Sequence, residues 1–572
     1  MLKMIIGSIG ILTTSLLCGG CSDKASSKEI FEYNEIYIPE HGSDEYDDLG
    51  LDNLDYEWGI WGHNLSQIIP EGVSNTIYSM GGEGRDKKQY CFSSDELYNC
   101  IRQYIKDNFS SFEHKRFAIL PNDNPVVCTC PKCTAAGNTH NDASPAVLKL
   151  IKRLAENFPE HLFFTSYYST TKSLPKEQMP ANVGVLISAI DFPLSTAETK
   201  KEQDFKTLLH DWSQKVNKVY VWDYINNFDD YFTPFPFFIA MQRRIRLYEK
   251  AGVEGLFMNG SGYDFSSLSR LKMYTLAAML KNPDLDWRKY LKAKAKDLYP
   301  VTGELISNFM IEQEDFVASK GKELPIYDGI NKAVDTYLPV DKFIAFHDAL
   351  ETQKKSAGDE ERKDVDKIFK AMELTRLELM RKEGNIEGYE KHLKNLMSLK
   401  SDGINVYSES CWTLDSYCNE YKQIDSHAQS TVRNVLKGVR LSPGNGLDPE
   451  YSDISILTDG LLGMPSNYHN GLMINTPDEK WVINIPHVAG MNTLRVWLVT
   501  NPKFKIDLPK RINLLSGGNL IGTIVPTYPS GDKVGHIHVD FKVPASVGNL
   551  TLTLARDRER SPSMAIEEIE AF

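Results

Sequence analysis

From residue 35 to about 275 two apolar patterns alternate along the chain. Short, nearly continuous apolar runs at 35–38, 56–62, 116–120, 162–167, 183–189, 218–224 and 254–259 read as strands. Between them, 94–108, 146–157, 201–214 and 236–251 space their apolar residues for one helical face. Strands covered on both faces lose the apolar/polar alternation, and strands alternating with helices define a parallel α/β fold. Seven strands fall one short of a closed barrel. The expected architecture is therefore a TIM-type (β/α) barrel, incomplete at its amino-terminal side, with a doubly wound sheet as the alternative.

The pattern changes twice more. Residues 276–437 read as helical, and 359–382 carries Lys and Glu at the spacing of a solvated helix face. From 438 to 572 short alternating segments (480–485, 493–499, 536–543, 550–554) are punctuated by Pro, Gly and Asn, the pattern of a β-sandwich. A chain of 572 residues exceeds what one core organises, so the expected domains are a barrel over 22–275, a helical region over 276–437 and a sandwich over 438–572.

The first 21 residues belong to none of these. Met1-Leu2-Lys3 precedes an apolar run over 4–17 and then Cys18-Gly19-Gly20-Cys21. A basic start, a short apolar segment and small residues before a Cys describe a bacterial lipoprotein signal, with Cys21 as the lipidated residue. The expected location is a lipid anchor at the bacterial outer membrane, on the cell surface or the periplasmic side. A net charge of -13 without a basic patch excludes nucleic acid as a natural partner and leaves glycans compatible.

An exported protein can form disulfides. Cys128, Cys130 and Cys133 have the spacing of a structural zinc site if a fourth ligand such as Cys91 or His140 comes near. A disulfide among them with a bridge to Cys91 is the other reading. No catalytic cofactor or catalytic metal is expected. Gly-x-Ser-x-Gly, Gly-x-x-x-x-Gly-Lys-Ser/Thr and His-Glu-x-x-His do not occur, which disfavours serine-esterase, phosphate-loop and zinc-protease chemistry.

Active residues of a parallel barrel project from the carboxyl ends of its strands. Those ends carry Asn122 and Asp123, Asp191, the run Trp222-Asp223-Tyr224 followed by Asn226, Asn227, Asp229 and Asp230, and Asn259. The 56–62 segment adds Glu57, Trp61 and His63. Carboxyl groups flanked by flat rings suit glycoside hydrolysis, in which one carboxyl protonates the leaving oxygen and a second group stabilises an oxocarbenium-like centre. A capping or turn role is the alternative for any single Asp at such a position.

Four ordered motifs resemble one family: Trp58-Gly59-Ile60-Trp61-Gly62-His63-Asn64; Gln89-Tyr90-Cys91-Phe92-Ser93; Pro121-Asn122-Asp123-Asn124 followed by Cys-x-Cys-x-x-Cys; and Trp222-Asp223-Tyr224 with Pro234-Phe235-Pro236. They are similar to the domain of unknown function 4838, part of which is glycoside hydrolase family 163. The resemblance implies a TIM barrel and retaining endo-β-N-acetylglucosaminidase activity on N-glycans, in lipoproteins working beside other polysaccharide-utilisation proteins. Barrels of this type have two further upstream strands, for which this chain has little room. The segments Leu457-Thr458-Asp459-Gly460 and 481–485 resemble a discoidin-type galactose-binding sandwich, implying either carbohydrate contact or a buttress.

On this reading hydrolysis is assisted by the substrate's own 2-acetamido group, with Asp123 as general acid and Asn122 orienting the acetamido group. Asp44-Glu45 is a rival pair and Glu57 a rival acid. Glu57, Trp61, His63, Asp191, Trp222, Asp223, Tyr224 and Asn259 are the candidate substrate contacts. Two other readings stay open. One is a non-catalytic glycan-binding lipoprotein. The other is an inverting α-glucuronidase-like enzyme, whose uronate partner would be Arg85 or Arg270.

Overall fold

The computed structural model describes residues 30–43, 49–81, 84–429, 433–445, 451, 453–475, 479–528, 534–556 and 563–572. Cys21, Asp44 and Glu45 lie outside these residues. Among the described residues no helix is long and apolar enough to cross a membrane.

Ten strands occupy the first part of the chain: β1 Tyr33–Tyr37, β2 Trp58–Ile60, β3 Tyr78–Gly81, β4 Gly84–Tyr90, β5 Arg116–Ala118, β6 Leu162–Tyr167, β7 Val183–Ser188, β8 Leu194–Ser195, β9 Lys218–Tyr224 and β10 Gly255–Asn259. Seven of them form one parallel sheet in the order β1-β10-β9-β7-β6-β5-β2. Helices such as Ser144–Asn157, Lys200–Ser213 and Phe238–Ala251 cross between neighbouring strands. The Phe238–Ala251 helix ends on Gly252 at φ 72°, where a side chain would be strained.

The sheet does not close, and this corrects the expectation of a TIM barrel. It is a curled half-barrel whose edge strands β1 and β2 are not paired with each other. The curl still brings the edges together through side chains, because Tyr33 and Trp58 meet edge to face at 5.9 Å. Between them Glu35, fully buried, accepts from the Leu54 amide at 3.1 Å and sits 2.9 Å from His41 Nε2.

Strand alternation divides the buried residues into two sets. One face of each strand packs on the helices, as Val219 and Val221 do. The other face points into the curl, where Tyr33, Trp58, Ala118, Leu120, Phe164, Leu186, Tyr220 and Phe257 form a separate cluster. Tyr33 stacks on Tyr220 at 5.6 Å across it. On the helix side of β2 the packing is tight at Gly59, where a Cβ would lie 2.3 Å from the Phe117 ring.

Helices follow from Trp287–Leu298 through Leu414–Ala428. The longest, Asp359–Lys382, is clasped to two others at Glu373, whose carboxylate meets His347 of Val340–Gln353 at 3.3 Å and His392 of Tyr389–Met397 at 2.5 Å. The last region holds two antiparallel sheets, of five and four strands, on one apolar core containing Trp481, Ile483, Val496, Leu498, Leu552 and Ile566.

Candidate active site

The inward rows of β6, β7 and β9 continue past the hydrophobic layer to the carboxyl ends of the strands. Counting on by two from Phe164, Leu186 and Tyr220 gives Ser166 and Tyr168, Ser188 and Ile190, Trp222 and Tyr224. These residues, with Gly62, His63, Leu120, Asp123 and Asn259, line an open cleft of about 160 Å³ at that end of the sheet, and Tyr327 and Glu409 cover it from the helical region. A parallel sheet places its chemistry at this end, so the open half-barrel keeps the site of a closed one.

Two carboxyl groups face the cleft. Asp123 stands just past β5, beside the Tyr168 hydroxyl. Burial, the Asp123 charge and a hydrogen bond to Asp123 push the Tyr168 phenol up to about 12. Glu409 Oε2 accepts from the Tyr327 hydroxyl at 2.7 Å. Burial raises the Glu409 carboxyl above its ordinary value; the Tyr327 bond opposes this, and the charges of Asp229 and Asp123 reinforce it. Aromatic rings make the walls: Trp222 packs on Phe257 at 4.0 Å, and Tyr224 shares a 2.9 Å bond with Ser188. His63 Nδ1 is engaged with the Pro121 carbonyl, which leaves Nε2 toward the cleft it lines.

The loop after β9 holds the cover in place. The Phe228 amide donates to the Ile326 carbonyl at 2.8 Å, and the Phe228 carbonyl accepts from the Glu409 amide at 2.8 Å. One residue of this strand-end loop therefore sets both Tyr327 and Glu409. The turn beyond Glu409 is tight: Cys411 has φ 59° and donates its amide to Ser408 at 3.0 Å.

Five sequence-predicted residues come together in the cleft: Asp123, His63, Trp222, Tyr224 and Asn259. Trp61 lies beside it, in an apolar recess shared with Tyr33, Trp58 and Tyr220. The remaining candidates are elsewhere. The Asn122 side chain donates to the Lys88 carbonyl at 2.9 Å and its amide to Gln89 at 2.9 Å, so it fixes the loop and does not face the cleft. Glu57 precedes β2, at the opposite end of the sheet, and pairs with Arg116 at 2.9 Å. Asp191 is exposed and pairs with Lys172 at 2.5 Å.

Asp223 alternates to the helix side of β9. It is buried there, accepting from the Tyr248 hydroxyl at 2.5 Å with Arg244 3.8 Å away. Its neighbours along the loop are likewise structural: Asn227 binds the Asp328 carbonyl at 3.2 Å and Asp229 meets His469 at 2.8 Å. Neither arginine suggested for a uronate is in the cleft. Arg85 donates to the Thr76 and Tyr78 carbonyls, Arg270 pairs with Asp364 at 2.8 Å, and no Lys or Arg lines the cleft among the described residues.

Glu409 and Tyr327 were invisible to the strand-end rule because they come from the helical region. The alternation beyond Phe164 and Leu186 could have found Tyr168 and Ser188. The cysteine motif resolves differently from its disulfide reading: Cys91, Cys128, Cys130 and Cys133 are all buried and none is in a disulfide.

Residues 70–310, which hold three of the four motifs, match the family model of DUF4838, a domain of unknown function. No curated protein matches the chain. Among solved structures the chain is similar to a GH138 enzyme targeting pectin rhamnogalacturonan II, at 11% identity over 83% of this chain and 76% of that one, with a TM-score of 0.31. It is also similar to the lectin domain of lectinolysin complexed with Lewis B antigen, at 11% identity over 25% of this chain and 98% of that one, TM-score 0.20. A Streptococcus pneumoniae fucose binding module is similar at 12% identity over 25% of this chain and 98% of that one, TM-score 0.19. At these identities and scores the likeness bears on neither substrate nor reaction.

Proposed function

We propose that this chain is a glycan-directed hydrolase in which Glu409 is the general acid and Asp123 the partner carboxylate. The observation that carries the reading is the pairing of these two carboxyl groups in one aromatic-walled cleft at the carboxyl end of a curled parallel sheet. Glycoside hydrolysis needs one carboxyl that holds a proton and a second that stays negative. Burial favours the protonated form of Glu409, so it suits delivery of a proton to the leaving oxygen. Asp123, beside the Tyr168 hydroxyl, suits stabilisation of the positive charge that develops at the anomeric carbon, or alignment of an acetamido group that attacks it. The rings of Trp222, Tyr224, Tyr168 and Tyr327 offer flat faces to a sugar. An uncharged substrate is favoured by a cleft without Lys or Arg.

The narrower reading is an endo-β-N-acetylglucosaminidase acting on N-glycans with help from the substrate's acetamido group. It rests on the motif resemblance. The cleft alters its residue roles: the proton comes from Glu409, and orientation of the acetamido group falls to Asp123 and Tyr168, because Asn122 is held by Lys88.

Incubation of the protein with a biantennary N-glycan and with a panel of neutral glycosides, products read by mass spectrometry, tests both levels. Release of one reducing-end N-acetylglucosamine supports the narrow reading, and cleavage of another glycoside supports only the broad one. Glu409→Gln and Asp123→Asn are each expected to lower kcat by about 10²–10⁴. Full turnover in either variant removes that residue from the mechanism. Retention of glycan by the wild-type protein without cleavage of any substrate would replace the hydrolase by a binding protein.

A further inference from the structure

We infer that Cys91, Cys128, Cys130 and Cys133 form a structural zinc site that pins the loop bearing Asp123. The four sulfur atoms lie within 4.8 Å of one another, and all four residues are buried. Cys91 Sγ is 3.6 Å from both Cys130 Sγ and Cys133 Sγ. Zinc held by four thiolates at about 2.3 Å from each requires sulfur atoms about 3.8 Å apart along every edge of the tetrahedron. A disulfide would draw one pair to about 2.05 Å and leave two thiols buried together. The convergence of four sulfurs from two separate segments, with one equidistant from two others, fits a closed four-coordinate metal site.

The surroundings fit the same ion. Zinc with four thiolates carries a net negative charge, which needs hydrogen-bond donors in its second layer. The Met80 amide donates to Cys128 Sγ at 3.2 Å, and Asn138 Nδ2 fixes the Cys128 carbonyl at 3.2 Å. No carboxylate is among the grouped ligands and none leaves a coordination position open, so the site is structural in kind.

Its position gives it a role. Cys91 follows β4, Cys128 and Cys130 end the loop that leaves β5, and Cys133 lies in the short helix Pro131–Ala136. That loop has little regular structure and is tied to the β3–β4 hairpin by hydrogen bonds at several points. Gln89, two residues before Cys91, accepts from the Asn122 amide at 2.9 Å and donates to the Asn122 carbonyl at 3.0 Å. The Thr129 amide donates to the Met80 carbonyl at 3.0 Å. Zinc would join the end of the β3–β4 hairpin to the far end of this span, fixing Asp123 from behind. This inference stands on the cysteine geometry alone and is independent of the reaction proposed above.

Elemental analysis of the full chain, purified without chelators or added metal, is expected to find about one zinc per chain. Replacement by cobalt should give the visible d–d absorption of a tetrahedral thiolate complex. In the zinc-loaded protein the four cysteines should resist alkylation until a chelator is added, whereas exposed Cys411 reacts at once. Cys133→Ser should lose the zinc, and chelator treatment of the wild-type protein should make the 121–138 span the first site of proteolysis. If Cys133→Ser does not fold, the wild-type measurements decide alone. Iron in place of zinc, metal far below one per chain, or peptides in which any two of the four cysteines are covalently joined would overturn the assignment.

Discussion

The cleft's chemistry turns on a single hydrogen bond. The Tyr327 hydroxyl donates to Glu409 and lowers a carboxyl that burial and two neighbouring aspartates raise. Removing that donor in Tyr327→Phe lets the Glu409 pKa rise further. A general acid works only while protonated, so the alkaline limb of kcat/KM should move to higher pH, with its acid limb little changed. A pH–rate profile of the variant checks this, and an unmoved alkaline limb would separate Glu409 from the titration. The sequence exposed Asp123, His63, Trp222, Tyr224 and Asn259 because each stands at or just past the carboxyl end of a strand. It misplaced Asp223 for the reason it found its neighbours: alternate residues face opposite ways, and only the structure says which face meets Tyr248. Glu57 failed because helix Leu54–Glu57 puts it before its strand. Glu409 carries no local signature at all.

At the level of elements, the strands of the sheet were legible because burial on both faces leaves them almost wholly apolar. The hairpin of β3 and β4 was not, since its residues are mostly exposed and polar. Closure was not legible either. Whether seven strands close depends on pairing between β1 and β2, which are the unpaired edges of the sheet. The helical region depends on a buried glutamate. Burial by itself would raise the Glu373 carboxyl, yet His347, His392 and Asn395 outweigh it and hold it at about 2. Its unfolded value is near 4.5, so between pH 4.5 and 2 the unfolded chain binds the extra proton. This contribution is therefore complete above pH 4.5 and lost as pH falls toward 2. Urea midpoints measured across that range should fall more steeply in the wild type than in Glu373→Gln, which should also be the less stable of the two at pH 7.

Over the whole molecule, the three regions are joined by buried polar contacts. Arg381, fully buried on the Asp359–Lys382 helix, pairs with Asp459 at 2.7 Å and donates to the carbonyls of Leu462 at 2.7 Å and Leu461 at 3.1 Å. The segment likened to a sugar-binding module thus holds a structural arginine here. Arg381→Ala strands Asp459 and two carbonyls, and a loss of about 3–5 kcal/mol is expected in denaturant titration. An unchanged midpoint would mean that water satisfies the site. His469 makes a second tie, reaching Asp229 on the strand-end loop that sets Glu409. The order of the chain gives these ties a further meaning. During synthesis the half-barrel and Asp123 emerge first, but β1 waits for β10 as its only partner in the sheet, and Glu409 emerges far later. A nascent or truncated chain that stops short of Glu409 can own the aromatic walls of the cleft and one carboxylate, yet it lacks the acid of the proposed mechanism. On that mechanism competence arrives only once Glu409 is made, so an incomplete copy would hold a substrate it cannot cut.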